Sequence, residues 1–178
     1  MRGVDWIKYT NSVPFWMRRD PTIRNEDDNT PAMLWIRYDQ TEPPEWMRHD
    51  PTLQNNCGDT LAMLWIFYVK TEPPEWMRHD PRIEDICGDT LAIHWIMYVE
   101  TEPPEWMRYD PTIRDENGDT LAMIWIRYVK TDPPKWMRHD PRIERYGITQ
   151  TMYWILYVKT EPPEWMNRIS LFYFFSIK

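Results

Sequence analysis

Histidine recurs at His49, His79 and His139, at multiples of thirty residues, and cysteine recurs once at the same interval, at Cys57 and Cys87. Imidazole and thiolate are the side chains that bind zinc, and two thiols could instead pair, so metal or redox chemistry is the first reading to weigh. The other members of each series argue against it. The histidine position holds Arg19 and Tyr109 elsewhere, and the cysteine position holds Asp27, Asn117 and Tyr146. A ligand set missing from half of its equivalent places does not build a metal centre. Equivalent residues on units packed side by side also lie about 8–10 Å apart, too far for a disulfide. These residues are therefore expected to be solvated repeat positions, with no metal or cofactor implied. His94, which stands where Leu64 stands one period earlier, is expected to be a partly buried variant.

Charged residues recur in the same way. Arg18, Arg48, Arg78, Arg108 and Arg138 form one series, and Asp20, Asp50, Asp80, Asp110 and Asp140 another. Arginines in a column, interleaved with aromatics, could read single-stranded nucleic acid one nucleotide per unit. The net charge of −7 opposes that reading. So does the spacing of Glu75 and Arg78, which offers the arginine a local partner at i, i+3, as for Glu45 with Arg48 and Glu105 with Arg108; Lys135 breaks the pattern once. Carboxylates are abundant, but none is singled out from the repeat for acid or base work. There is no glycine-rich phosphate loop and no Ser, His, Asp or Cys, His set, so the chain is expected not to be an enzyme.

The repeat itself is carried by tryptophan. The chain has 178 residues with 12 Trp, 17 Pro, 12 Met and only 5 Gly. One Trp series, each followed by Ile, runs Trp6, Trp35, Trp65, Trp95, Trp125, Trp154; the other, each followed by Met, runs Trp16, Trp46, Trp76, Trp106, Trp136, Trp165. The spacing within each series is 29 or 30, so the sequence is a tandem array of six units. Boundaries fall at about 1–29, 30–59, 60–89, 90–119, 120–148 and 149–166. An exposed row of twelve indoles would be an aggregation hazard, so both series are assigned to the core between units.

Within a unit the pattern predicts two helices. Leu61, Leu64, Trp65 and Tyr68 lie at i, i+3, i+4 and i+7, with Ala62, Ile66 and Val69 beside them, which makes a helix apolar around most of its circumference. Asp59 or Thr60 is a competent N-cap, and Gly58 permits the turn before it. Pro73 is pushed extended by Pro74, so a second helix of roughly six residues is expected to start at Pro74 and stop by His79, ahead of Asp80-Pro81. Pro81 to Cys87 reads as an extended or turn segment that links units.

This order of elements resembles the ankyrin repeat. Thr30-Pro31-Ala32-Met33 sits where that family has Thr-Pro-Leu-His, and Asp110-Pro111-Thr112-Ile113-Arg114-Asp115-Glu116-Asn117-Gly118-Asp119-Thr120 follows its finger pattern; the likeness covers about residues 1–166. The period is 30 rather than 33, the shortfall falls in the second helix, and Trp-Met replaces the two leucines there. The resemblance implies an all-α solenoid of about six helix-turn-helix units joined by extended finger loops. It implies an intracellular, non-enzymatic scaffold that binds another protein through its concave face, lined by finger tips and the exposed side of each first helix. The residues that vary there while the frame stays fixed are Arg37, Phe67, Met97, Arg127 and Leu156 on the helices, and Arg24, Gln54, Glu84, Arg114 and Glu144 in the fingers. Two alternatives stand beside this reading: a nucleic-acid-binding helical repeat, and a non-functional fragment of a longer array. Residues 167–178 leave the repeat and are mostly apolar from Leu171 to Ile177, as a packing cap or as non-native sequence. No segment is long and apolar enough to span a bilayer.

Overall fold

A computed structural model of the chain describes residues 20–112, 114–139, 144–145 and 147–167. The first unit up to residue 19, with Trp6 and Trp16, and the tail at 168–178 lie outside them. Five long helices recur: α1 (Pro31–Asp39), α2 (Leu61–Val69), α3 (Leu91–Tyr98), α4 (Leu121–Tyr128) and α5 (Gln150–Tyr157). Each packs on the next. The result is an all-α solenoid.

Thr60, rather than Asp59, caps α2. Its backbone is extended (φ −88°, ψ 170°), and its Oγ1 accepts the Met63 N–H at 3.3 Å while the Met63 sulfur accepts the Thr60 N–H at 3.4 Å. The thioether thus stands where Glu or Gln stands in a capping box, and Thr30 with Met33 repeats the arrangement. The helix that follows is apolar all round, with Leu61, Ala62, Met63 and Ile66 fully buried. At nine residues it is too short to persist alone. It ends at Lys70, whose φ of 59° is left-handed and whose N–H reaches the carbonyls of Trp65 and Ile66. Gln40, Glu100, Lys130 and Lys159 do the same in the other units, with no glycine at any of these ends. The Trp65 indole N–H then donates to Thr71 Oγ1 at 3.0 Å, fixing the turn against the helix.

The second helix is shorter than the sequence suggests. Pro74 keeps an extended ψ of 149° and lies outside it; one 3₁₀ turn, Glu75–Met77, is all that forms before Arg78 is extended again (φ −71°, ψ 139°). Matching stubs occur at Glu45–Met47, Glu105–Met107 and Lys135–Met137, with one short α-helix, α6 (Glu164–Asn167), in the last unit. The early exit has a cause. The chain must return at once so that His79 meets Thr60, at 2.8 Å between Nε2 and Oγ1. Met77 is fully buried in the stub, while Trp76 only half covers the core. The two tryptophan series therefore differ: Trp65, Trp95, Trp125 and Trp154 are buried at 7–8% exposure, and Trp46, Trp76, Trp106, Trp136 and Trp165 are partly buried against the core.

Fingers stack by one main-chain hydrogen bond per junction: Asn56 N–H to Asp27 O, Ile86 N–H to Cys57 O, and Glu116 N–H to Cys87 O, at 3.0–3.2 Å. Because the carbonyl is what matters, the residue that carries it can be Asp or Cys. Gly58 has φ of +78°, and a Cβ there would lie 2.7 Å from the Ile86 nitrogen of the next finger, so both conformation and closeness call for glycine. In the last described finger the strands β1 (Glu144–Arg145) and β2 (Ile148–Thr149) pair antiparallel, Glu144 opposite Thr149.

Two outcomes follow from this frame. Trp95→Ala, which empties a buried indole at the centre of the array, is expected to lower unfolding stability by about 3 kcal/mol; an unchanged thermal midpoint would contradict its place in the core. Lys70→Gly relieves a left-handed residue at the cost of some unfolded-state entropy and is expected to raise stability by roughly 0.5–1 kcal/mol in denaturant titration.

Candidate functional site

The expected contact column is the seventh residue of each of the five long helices. Arg37, Phe67 and Arg127 are exposed, Leu156 is 59% exposed, and Met97 is half-buried. A tyrosine stands next to each in sequence, giving a row of Tyr38, Tyr68, Tyr98, Tyr128 and Tyr157. Side chains cross between the two series. Phe67 meets Tyr68 and Tyr98 edge to face, both at 4.7 Å, and the Arg127 guanidinium lies 5.5 Å from the Tyr128 ring and 5.9 Å from the Tyr157 ring. Tyr38 is exposed, whereas Tyr68, Tyr98, Tyr128 and Tyr157 are half-buried against the core.

Arg37 and Tyr68 line a shallow cavity together with Asp27, Asn55, Asp59 and Leu64, so helix column and fingers border one space. The finger residues divide. Arg24 Nη1 donates to Gln54 O at 2.7 Å, and Gln54 Nε2 donates to Glu84 O at 2.7 Å and Gly58 O at 2.6 Å, so these two side chains tie finger to finger. Glu84 and Arg114 are exposed, and Glu144 lies in β1.

The recurrent histidines are structural and half-buried rather than solvated. His79 Nδ1 lies 2.8 Å from the Asp80 carbonyl, so that nitrogen carries the proton, and Nε2 accepts the Thr60 hydroxyl. His49 repeats the pattern on Thr30, and Tyr109 places its hydroxyl 2.7 Å from Thr90 Oγ1. Burial lowers the pKa of both His49 and His79, outweighing the backbone bond to Asp50 or Asp80.

The arginine series is also occupied, with a different partner from the expected one. Arg78 pairs with Glu72 at 2.9 Å, not with Glu75; its guanidinium lies 5.0 Å from the Trp106 ring, and the Trp106 N–H donates to Glu72 Oε1 at 2.8 Å. The same closed triad is made by Arg48, Glu42 and Trp76, by Arg108, Glu102 and Trp136, and by Arg138, Asp132 and Trp165. Lys135 at the Glu75 position breaks nothing, because Asp132 is the partner there.

One polar cluster belongs to a single junction. His94 is 6% exposed and its Nε2 lies 3.1 Å from Asp85 Oδ2, with Asp59 of the preceding finger beside them. Burial pulls Asp85 upward, but the His94 bond and the N–H groups of Asp89 and Cys87 outweigh it and hold the carboxyl below its ordinary range. Burial raises Asp59, and burial with the nearby Asp85 charge pushes Asp89 up to about 6. The signal in the sequence was a histidine in a column otherwise holding Leu34, Leu64, Ile124 and Tyr153, at the first junction whose facing finger positions carry Asp rather than Asn, as Asp89 and Asp115 do at the next.

No family model matches the chain, and no curated protein matches it. Among solved structures, the ankyrin repeat protein EF0377 aligns at 15% identity over 78% of this chain and 81% of its own, with a TM-score of 0.46. The structure of the predatory endopeptidase Bd0816 from Bdellovibrio bacteriovorus in complex with immunity protein Bd3460 aligns at 13% identity over 84% of this chain and 86% of the matched one, with a TM-score of 0.58. At these identities the likeness is one of fold. The fold is an all-α repeat array, in keeping with the resemblance stated from the sequence. Its capped helix, turn, stub and finger correspond to the ankyrin unit, shortened at the stub.

Asp89 supplies a test of the cluster's electrostatics. Its folded pKa of about 6 exceeds its ordinary 3.8, so its contribution is fully present below about pH 4 and is lost as pH rises through 6. Asp89→Asn, the residue found at Asn29, is expected to stabilise the protein by about 1–2 kcal/mol at pH 7, allowing for partial exposure, with the gain vanishing below about pH 4 in thermal unfolding.

Proposed function

We propose that this ankyrin-like array is a scaffold that binds another protein through its concave face, with Arg37, Phe67, Met97, Arg127 and Leu156 as the contact column and Glu84, Arg114 and Glu144 along the finger edge. Arg24 and Gln54 contribute by setting the spacing of the fingers. The observation that carries this reading is the pairing of a variable column with an invariant, half-buried tyrosine row through direct ring and guanidinium contacts. Tyrosine and arginine are the residues that dominate protein interfaces, and here they are held by neighbours before any partner arrives. Cys57 and Cys87 are free thiols on the surface, which favours a reducing, intracellular setting, and none of the described helices is long and apolar enough to cross a membrane.

The nucleic-acid alternative has less to work with. Arg48, Arg78, Arg108 and Arg138 are each closed in a triad with a carboxylate and an indole.

The decisive comparison is an affinity pull-down with the whole chain and with a variant in which Arg37, Phe67, Met97 and Arg127 are all changed to Ala. Partners retained by the parent chain are expected to be lost from the variant while its helical circular dichroism is preserved. Equal retention by both, or retention of the parent chain on immobilised RNA at low salt, would remove the proposal.

A further inference from the structure

The finger junctions differ in one pair of residues that face each other across them. At one junction the pair is Asn29 and Asn55, and the amides satisfy one another, Asn55 Nδ2 donating to Asn29 Oδ1 at 3.0 Å. At the next the same pair is Asp59 and Asp85. Two ionised carboxylates cannot bond each other and repel when partly buried. In that unit alone the helix column supplies a histidine, and His94 brings its imidazole in with Nε2 foremost while its buried Nδ1 has no hydrogen-bond partner. One ligand atom from each of Asp59, Asp85 and His94 lies within 4.8 Å of the other two.

We propose that Asp59, Asp85 and His94 form a binding site for a divalent transition-metal cation of the zinc class. An imidazole nitrogen with two carboxylate oxygens is a ligand set that zinc accepts, and two carboxylates match the charge of the dication. Ligand atoms around tetrahedral zinc are about 3.3 Å apart for bonds of 2.0–2.1 Å. The His94 and Asp85 atoms already stand 3.1 Å apart, and the Asp59 oxygen has to close in from within 4.8 Å. Asp59 and Asp85 come from successive fingers and His94 from α3, so the bound ion clamps two fingers to a helix. A water or a partner's side chain would complete a four-ligand shell. This site revises the expectation that the histidine and cysteine series exclude a metal: the ligands come from one irregular unit and not from the recurrent positions.

The repeat supplies the controls. His94→Leu restores the residue at Leu64, Asp85→Asn the one at Asn55 and Asp59→Asn the one at Asn29, so each variant is already accommodated elsewhere in the fold. Chelator-washed full-length chain is titrated calorimetrically with ZnCl2 and, separately, MgCl2. The expected result is one zinc per chain, no comparable magnesium binding, and at least a tenfold loss of zinc affinity in each variant. Cys57→Ser with Cys87→Ser is expected to keep the affinity of the parent chain. A zinc-dependent rise in thermal midpoint that His94→Leu abolishes gives a second readout. Zinc binding unchanged in His94→Leu and Asp85→Asn, or no saturable binding by the parent chain, overturns the proposal.

Discussion

In α1 and α2 the threonine hydroxyl at the start of the long helix holds the unit together. Thr60 Oγ1 accepts the Met63 N–H and donates to His79, whose other nitrogen is fixed on the Asp80 carbonyl. One oxygen therefore sets where the helix begins and where the stub must end. Neither element is long enough to hold without it: nine residues of helix and three of 3₁₀ turn are far below the length at which local hydrogen bonding suffices. A neutral ring accepts the hydroxyl at Nε2, whereas a protonated one would have to donate to Thr60 Oγ1 instead. Burial of His49 and His79 favours that neutral form. Tyr109 can replace histidine because a phenol also meets a hydroxyl while offering no charge to desolvate.

The two tryptophan series divide the remaining work. The buried series fills the helix layer and spends its N–H on the threonine of its own turn, so it acts within a unit. The half-buried series spends its N–H on a glutamate or aspartate thirty-three or thirty-four residues earlier and its ring face on the arginine paired with that carboxylate, so it acts between units. Surface ion pairs alone contribute little. Here the indole covers the guanidinium and bonds the carboxylate, so the pair is shielded on one side and geometrically fixed. The isolated stubs could not hold their own tryptophans; the carboxylate of the preceding unit does.

Much of the array was legible in the sequence: the period, the long helix, the threonine cap, the glycine of the finger and the concave column. What was hidden depended on contacts between units. The partner of Arg78 lies six residues back across Pro73-Pro74, outside the i, i+3 and i, i+4 neighbours that a helical reading considers, and so Glu75 stood in for Glu72. The stub looked like a helix because Pro74 is a favoured first residue, but the tertiary demand of His79 for Thr60 overrides that preference. The cluster at His94 joins residues from separate fingers and a helix, and no local window contains it.

The finger junctions show why function can drift on this frame. A main-chain bond joins each finger to the next through the carbonyls of Asp27, Cys57 and Cys87, and it places no demand on those side chains. The arginines, carboxylates, threonines and one indole series are by contrast committed to contacts that any substitution would break. Change is therefore tolerated chiefly on the helix column and at the exposed finger residues Glu84 and Arg114. A surface can vary without unfolding the array only if the frame does not use it, and a partner can be selected only by a surface that varies. The helix column meets the first of these conditions.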